Sequence, residues 1–177
     1  MKNRNSVLTL TTTAMLGALA SILMMFEFST PFMPGFIKFD FSELPGVFAA
    51  IAINPLSGVL VCLIKNSVHL IVTTTGGIGE VANFILGAVF VLTTGYVFRF
   101  LKDKKFSLVV SGVTGSMAMA AVSLPVNYFI TYPVYSKMLP IDAIIGMYAE
   151  LNSSVGSLFE ALLIFNVPFN FVKGVIC

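Results

Sequence analysis

Long apolar runs, separated by short polar stretches, set the pattern of the chain. A helix needs about 20 apolar residues to cross a bilayer core of about 30 Å. The apolar run 44–72 is long for one helix and contains Asn54-Pro55. Because proline disfavours the α conformation of the residue before it, we divide the run there. The predicted helices span residues 7–28, 43–53, 56–74, 80–101, 107–130 and 155–177, with a short extra helix at 141–148.

The positions of the basic residues predict the orientation of this six-helix bundle. With a cytoplasmic N-terminus, six helices place seven of the ten basic residues at cytoplasmic ends, as the positive-inside rule requires. These seven are Lys2, Arg4, Arg99, Lys102, Lys104, Lys105 and Lys173. A five-helix alternative, with run 44–72 left whole, would move the Lys102 turn outside. We therefore expect both termini to be cytoplasmic.

Composition indicates an all-α integral membrane protein with a single transmembrane domain over residues 1–177. The chain is 57% hydrophobic and 10% charged, with a mean hydropathy of +0.96, whereas soluble domains carry about 25% charged residues. The first apolar run exceeds the roughly 7–15 residues of a signal peptide, so we expect a retained helix. The two cysteines predict neither a disulfide framework nor a metal site. The basic turn lacks aromatic residues, so nucleic acid is not an expected partner.

Residues 65–87 place costly polar groups among apolar ones. A charge at mid-bilayer costs about 2.5 to 3.5 kcal/mol on the insertion scale. Lys65 and His69 lie four residues apart on one helical face, and Glu80, Asn83 and Gly87 form a stripe on the next helix. Lys65 and His69 have an alternative role, that of tying helices together.

A glycine turn, Gly-Gly-Ile-Gly at residues 76–79, separates these two polar groups. A glycine turn that opens a helix leaves backbone N–H groups for a polar or anionic ligand; alternatively, it only permits a tight turn. It lacks the Lys-Ser/Thr of a P-loop, which argues against nucleotide hydrolysis there.

The later helices add further polar side chains. Asn127 is a buried amide that must find partners, whereas Tyr135 fits an interfacial aromatic belt. Asn166, Asn170 and Lys173 recur on one face, although Lys173 alone would also suit an end-anchor. These groups predict a small-molecule pocket shared between helices, with Phe39, Phe41 and Tyr128 available to cover a planar ring.

Catalysis is a weaker hypothesis. The chain has one histidine, so a multi-histidine metal site is excluded, and no serine or cysteine lies in a nucleophile motif. An intramembrane enzyme with Glu80 or His69 as general base stays as the alternative. We assign no catalytic residue.

Ala14 and Ala18, four residues apart in the first helix, form a small-xxx-small motif. Such motifs let two helices approach closely in lipid, and packing within the bundle would explain them equally well.

Five segments together resemble a known family: 39–45 (FDFSELP), 55–58 (PLSG), 65–69 (KNSVH), 75–84 (TGGIGEVANF) and 168–174 (PFNFVKG). They are similar to the riboflavin-specific substrate-binding subunit, or S-component, of energy-coupling factor (ECF) transporters. The Ala14–Ala18 spacing also matches the motif by which such subunits dock on a shared transmembrane coupling protein.

The resemblance implies a multi-pass subunit of the bacterial plasma membrane that captures riboflavin from outside and hydrolyses nothing. It implies no cofactor, with riboflavin as the transported ligand. The implied partners are a coupling subunit and two cytoplasmic ATPases. The pocket would lie towards the outer face, closed by the loop after the first helix.

The expected ligand-binding residues are Phe39, Asp40, Gly77, Gly79, Glu80, Asn83, Asn127, Tyr128, Asn170 and Lys173, and the expected coupling residues are Ala14 and Ala18. Another vitamin or FMN is an alternative ligand, and the Asp40 and Glu43 carboxylates argue weakly against a phosphorylated one.

Overall fold

The computed structural model describes residues 2–35, 37–73, 76–101, 104–137, 140–152 and 155–177. For residues 2–5 it describes the backbone only. Within these ranges the chain is mostly helical. The α-helices are α1 (Lys2–Met25), α2 (Glu43–Ala52), α3 (Pro55–His69), α4 (Ile78–Leu101), α5 (Ser107–Val126), α6 (Tyr132–Tyr135), α7 (Ile141–Ala149), α8 (Leu158–Ala161) and α9 (Val167–Ile176). Two short strands, β1 (Phe28–Ser29) and β2 (Lys38–Phe39), pair antiparallel in the loop between α1 and α2.

Five helical stretches of the described chain are long and apolar enough to cross a membrane. They span Ser6–Met25, Pro55–Val72, Ile78–Leu101, Ser107–Tyr135 and Leu158–Ile176. Many apolar side chains on their outer faces are exposed, including Leu10, Phe100 and Phe129. Such a surface requires lipid, so the chain is a helical membrane protein. The predicted second helix, α2, is apolar but has only 10 residues.

The predicted break between the second and third helices is confirmed. Pro55 is the first residue of α3, where its missing N–H costs no hydrogen bond. Asn54 caps the helix by accepting a hydrogen bond from the backbone N–H of Ser57 at 2.8 Å. The break separates two helices that pack closely, since a Cβ on Gly58 would lie 2.8 Å from the carbonyl oxygen of Gly46.

Several helix ends differ from the prediction. The third helix ends as an α-helix at His69 and continues as the 3₁₀ turn Leu70–Val72. The fifth helix was predicted to end at residue 130, but the helical path runs on to Tyr135 through a π-helical segment, Asn127–Thr131.

A second π-helical segment, Leu162–Asn166, joins α8 to α9. Each segment is followed two residues later by a proline, Pro133 or Pro168. A proline inside a helix lacks an N–H and its ring clashes with the carbonyl four residues earlier. A π turn widens the helix at that point and accommodates the proline.

The glycine turn before α4 is confirmed. Gly76 and Gly77 have φ angles of +63° and +89°, which side-chain-bearing residues rarely adopt. The backbone N–H of Gly77 donates to the Thr73 hydroxyl at 3.2 Å. The turn therefore brings the start of α4 back beside the end of α3.

The last helix packs against the middle of α5. A Cβ on Gly174 would lie 2.6 Å from the Ser116 hydroxyl, and Ser116 lies nine residues into α5. Lys173 is therefore held inside the bundle, only 4% exposed. The alternative role of Lys173 as an end-anchor is wrong, because its ammonium group is paired in the interior.

Candidate functional site

A polar cavity of about 160 Å³ lies between the loop after α1, helices α3, α4, α6 and α9, and the two π-helical segments. The loop contributes one wall, and the π-helical segments contribute another. The charged lining residues are Glu27, Lys38, Asp40, His69, Glu80 and Lys173, and the amide residues are Asn83, Asn127, Asn166 and Asn170. Met24, Leu86 and Phe169 add apolar surface. The lining thus combines hydrogen-bonding groups with apolar contacts, as small-molecule sites do.

An ion pair between Asp40 and Lys173 forms the inner end of the cavity. The Lys173 ammonium lies 2.9 Å from Asp40 Oδ2, and both residues are buried. The other oxygen, Asp40 Oδ1, accepts a hydrogen bond from the backbone N–H of Ser42 at 2.7 Å. The pair therefore fastens the loop after α1 to the last helix.

A second ion pair lies directly behind the first and does not line the cavity. The Lys65 ammonium donates to Glu43 Oε1 and to the Ser42 hydroxyl, each at 2.6 Å, and both charged side chains are fully buried. Gly87 leaves room for the carboxylate, since a Cβ there would lie 2.9 Å from Glu43 Oε2. Lys65 thus ties helices together, and Gly87 of the predicted stripe faces this pair instead of the cavity.

The charge state of Asp40 follows from these neighbours. Burial alone would raise the pKa of the carboxyl, but the ammonium groups of Lys173 and Lys65 and the hydrogen bonds from Ser42 and Lys173 outweigh it. The pKa of Asp40 is held well below its ordinary range. The inner end of the cavity therefore carries a carboxylate and an ammonium together.

The other charged lining residues form a chain of contacts at the cavity rim. His69 Nδ1 lies 2.9 Å from Glu80 Oε1, and His69 Nε2 lies 4.0 Å from Glu27 Oε2. Glu27 also pairs with Lys38 of β2. This chain joins the loop to α3 and α4.

The amide side chains differ in how fully they are paired. Asn83 donates to Asn66 Oδ1 at 3.1 Å, and Asn170 donates to the backbone carbonyl of Asn166 at 2.8 Å. Asn166 Oδ1 accepts a hydrogen bond from the Tyr148 hydroxyl at 2.7 Å. The side chain of Asn127 is 7% exposed and has no hydrogen-bond partner among the described residues. A ligand would find the most available amide there.

Tyr148, on α7, holds this wall from behind. Its hydroxyl contacts that of Tyr132 as well as Asn166, and the side chain is fully buried. Burial and the neighbouring Tyr132 raise the pKa of Tyr148 far above its ordinary value. Tyr148 therefore keeps its proton and links α7 to α6 and to the second π-helical segment.

Seven of the ten predicted ligand residues line the cavity, and the structure brings them together from four elements. They are Asp40, Gly79, Glu80, Asn83, Asn127, Asn170 and Lys173.

The other three predicted ligand residues lie outside the lining. Gly77 forms the turn. Tyr128 is 40% exposed and its ring packs on Phe129 and Phe159 on the outer side of the helix. Phe39 stands one layer behind the cavity, edge-on to Phe169 at 6.1 Å.

Phe39 instead borders a separate apolar groove of about 530 Å³ between the loop and α9. Phe41, the other ring-covering candidate, borders the same groove, and the two rings meet edge to face at 5.4 Å.

Several lining residues, chiefly Thr131, Tyr132 and Asn166, are not among the ligand residues predicted from the sequence. Asn166 lies on the predicted polar stripe of the last membrane helix but is not one of the predicted ligand residues. Tyr132 comes together with Asn127 because the helix widens there: the backbone N–H of Tyr132 donates to the carbonyl of Asn127, five residues earlier. The proline two residues beyond each π-helical segment is the signal that could have located them.

The first helix presents two distinct faces. Thr13, Gly17 and Ala20 are buried, and a Cβ on Gly17 would lie 2.8 Å from Ile64 of α3. Ala14 and Ala18 are exposed on another face. The predicted coupling residues are therefore not used for packing within this chain.

The described residues contain no group of three or more His, Cys, Asp or Glu side chains that could hold a metal ion. The arrangement instead offers hydrogen-bond donors and acceptors around a small cavity. Such a site recognises an organic ligand by its polar groups.

Comparisons with known proteins agree with this description. Residues 8–177 match the model of the family "ECF transporter, substrate-specific component". The chain is 33% identical over 166 residues to the riboflavin transporter FmnP of Bacillus subtilis (strain 168), covering 92% of this chain and 82% of that protein. It is 30% identical over 167 residues to the riboflavin transporter RibU of Staphylococcus aureus (strain TCH60), covering 94% and 82%.

A solved S component of a bacterial ECF transporter superposes with a TM-score of 0.73 at 28% identity, over 99% of this chain and 89% of that one. The family and these relatives are transporter components and not enzymes. The chain belongs to the substrate-specific components of ECF transporters.

Proposed function

We propose that the chain binds riboflavin and serves its uptake as the S-component of an ATP-driven ECF transporter. The observation that carries this proposal is the polar cavity, in which seven of the ten residues expected for a riboflavin subunit meet. The names of the relatives from Bacillus subtilis and Staphylococcus aureus support the same ligand.

The chemistry of the cavity suits a flavin. One edge of the isoalloxazine ring carries carbonyl and N–H groups, which Asn127, Asn170 and Lys173 can engage. The opposite edge is apolar and suits Met24, Leu86 and Phe169. The ribityl chain carries hydroxyls, which suit the charged rim of Glu27, Lys38, His69 and Glu80.

The cavity is smaller than a typical ligand site. Its volume of about 160 Å³ compares with roughly 300–1,000 Å³ for most small-molecule pockets. We expect the wall formed by the loop after α1 to move outward when the ring enters.

The proposed setting is the bacterial plasma membrane, with residues 1–177 as one transmembrane substrate-binding domain. We propose six membrane helices, α2 being the short one, and cytoplasmic termini. Arg99 at the end of α4 and the following Lys104 and Lys105 support this orientation. Lys102 and Asp103 of that turn, and the side chains of Lys2 and Arg4, lie outside the part of the chain that the structure describes.

The proposed partners are a transmembrane coupling subunit and two cytoplasmic ATPases. The exposed small residues Ala14 and Ala18 support docking of a helix of the coupling subunit on α1. We expect Ala18→Leu to leave riboflavin affinity unchanged and to reduce co-purification with the coupling subunit. Met15→Leu, on a neighbouring exposed position of α1, is the matched control. Undiminished assembly and uptake by Ala14→Leu and Ala18→Leu variants would remove this face from the proposal.

The experiment that tests the function is direct. The protein is purified from flavin-fed cells, its visible absorption is recorded, and quenching of added riboflavin fluorescence is titrated. Competition with FMN, thiamine and biotin tests the alternative ligands. A colourless protein that also fails to quench riboflavin would refute the proposed function.

A further inference from the structure

The hydroxyl of Thr131 lacks the hydrogen-bond partner that a buried hydroxyl is expected to have among the described residues. The side chain is 5% exposed, and Oγ1 has no hydrogen-bond partner among the described residues. Other hydroxyls in the membrane helices bond back to a carbonyl of their own helix, as Thr114 does to Val110 and Ser123 to Ala120. A buried polar atom that departs from this rule needs an explanation.

The π-helical segment places Thr131 at the cavity. Thr131 is its last residue, and the carbonyl four residues earlier, that of Asn127, accepts the backbone N–H of Tyr132. Asn127, Thr131 and Tyr132 all line the cavity. Asn127 also has no side-chain partner among the described residues, so two residues of one segment with unpaired side chains line the same cavity.

Two other buried hydroxyl oxygens in the described part of the chain have no partner, those of Thr30 and Thr94. Thr94 is enclosed between α4 and α5, where a Cβ on Gly115 would lie 2.0 Å from its Oγ1. Thr30 borders the apolar groove. Neither lines the polar cavity, whereas Thr131 does.

We propose that Thr131 is a specificity-determining residue whose hydroxyl hydrogen-bonds the flavin. This inference rests on the proposed function and adds to it a contact from the outer part of the fifth membrane helix. A hydroxyl both donates and accepts, so it suits a ring carbonyl or a ribityl hydroxyl. Because the hydroxyl has no partner among the described residues, ligand binding gains a hydrogen bond and breaks none of theirs.

The test compares three substitutions by riboflavin titration. Thr131→Val removes the hydroxyl at nearly constant shape, Thr131→Ser retains it, and Thr94→Val removes an equally unpaired hydroxyl away from the cavity. We expect about tenfold weaker riboflavin binding for Thr131→Val, the change that loss of one hydrogen bond produces. Affinities of Thr131→Ser and Thr94→Val should stay within about twofold of the wild type.

Thermal unfolding without ligand provides a second readout. Thr131→Val should unfold at the same temperature as the wild type or slightly higher, because it removes an unpaired buried hydroxyl. The rise in unfolding temperature that saturating riboflavin produces should be smaller in this variant. A purely structural role would instead lower the unfolding temperature of the ligand-free protein.

Lumiflavin, which has the ring without the ribityl chain, distinguishes the two partner groups. A loss of affinity for riboflavin alone assigns the hydrogen bond to the ribityl chain, and an equal loss for lumiflavin assigns it to the ring. Wild-type affinity in Thr131→Val, or an equal loss in Thr94→Val, overturns the inference and leaves the proposed function standing. A wild-type protein that binds no riboflavin overturns both.

Discussion

Two buried polar regions lie side by side in this molecule and differ in how completely they are paired. Behind the cavity, Lys65 is bonded to both Glu43 and Ser42, and none of the three is exposed. Within the cavity, Asn127 and Thr131 are 7% and 5% exposed, and neither side chain has a hydrogen-bond partner among the described residues. Both regions are buried, but only the first has its polar side chains paired by hydrogen bonds.

The difference shows why an intramembrane polar residue has two explanations. A fully paired charge stabilises the fold, because breaking the pair leaves an uncompensated charge in a low-dielectric interior. An unpaired amide or hydroxyl that faces a cavity is available to a ligand. Asp40 and Lys173 combine both features, since they are paired with each other and also line the cavity.

The largest effect on stability is expected from breaking the ion pair between Lys65 and Glu43. Lys65→Met leaves the Glu43 carboxylate buried without its partner, which costs about 3–5 kcal/mol for a buried pair. We expect a large loss of folded protein and of unfolding temperature in detergent, with Lys104→Met, an exposed lysine, as the control. The double variant Lys65→Met/Glu43→Gln should recover much of the loss. Wild-type stability in Lys65→Met would show that this pair is dispensable.

A smaller effect on stability is expected from breaking the ion pair between Asp40 and Lys173. Asp40→Asn keeps the hydrogen-bonding shape but removes the charge that neutralises Lys173, so we expect about 1–3 kcal/mol less stability. Because the pKa of Asp40 is lowered in the fold, its contribution is full above the unfolded pKa of about 3.9 and is lost as the pH falls through the lower folded pKa.

The pH dependence of unfolding checks this assignment. The deficit of Asp40→Asn relative to the wild type should be constant from pH 8 to pH 5 and shrink only in stronger acid. A deficit that disappears between pH 7 and pH 5 would mean that Asp40 is not held as a carboxylate by Lys173.

The smallest effect on stability, with a clear effect on binding, is expected in the unpaired region. Asn127→Ala breaks no side-chain hydrogen bond among the described residues, so the unfolding temperature should hardly change. Riboflavin affinity should fall about 5- to 30-fold, since a ligand hydrogen bond is lost. Ser123→Ala, which removes a paired hydroxyl one turn earlier, is the control. Loss of stability without loss of affinity would place Asn127 with the structural residues.

Much of the fold was predictable because it depends on local chemistry. Asn54-Pro55 and the glycine turn act through backbone rules that hold in any context, and both breaks are found where the sequence predicts them. The stripe of Asn166, Asn170 and Lys173 was also visible, because it begins at the last residue of a π-helical segment and is followed by regular helix.

The sequence did not reveal the parts that depend on distant contacts or on an irregular helix. Asp40 and Lys173 are 133 residues apart, and no spacing rule pairs them. Tyr132 stands five residues after Asn127, about 140° around a regular α-helix, so periodicity does not place it beside Asn127. Tyr128 was expected to face the ligand and packs instead on the outward rings of Phe129 and Phe159.

The π-helical segment Asn127–Thr131 makes the cavity sensitive to the length of the chain. An extra residue in a helix rotates everything beyond it by about 100°, so deleting one residue there would turn Tyr132 and Tyr135 away from Asn127. Phe129 and Ile130, on the outward side of the same segment, are exposed and should accept other apolar residues. In this short segment the number of residues matters more than the identity of the lipid-facing ones.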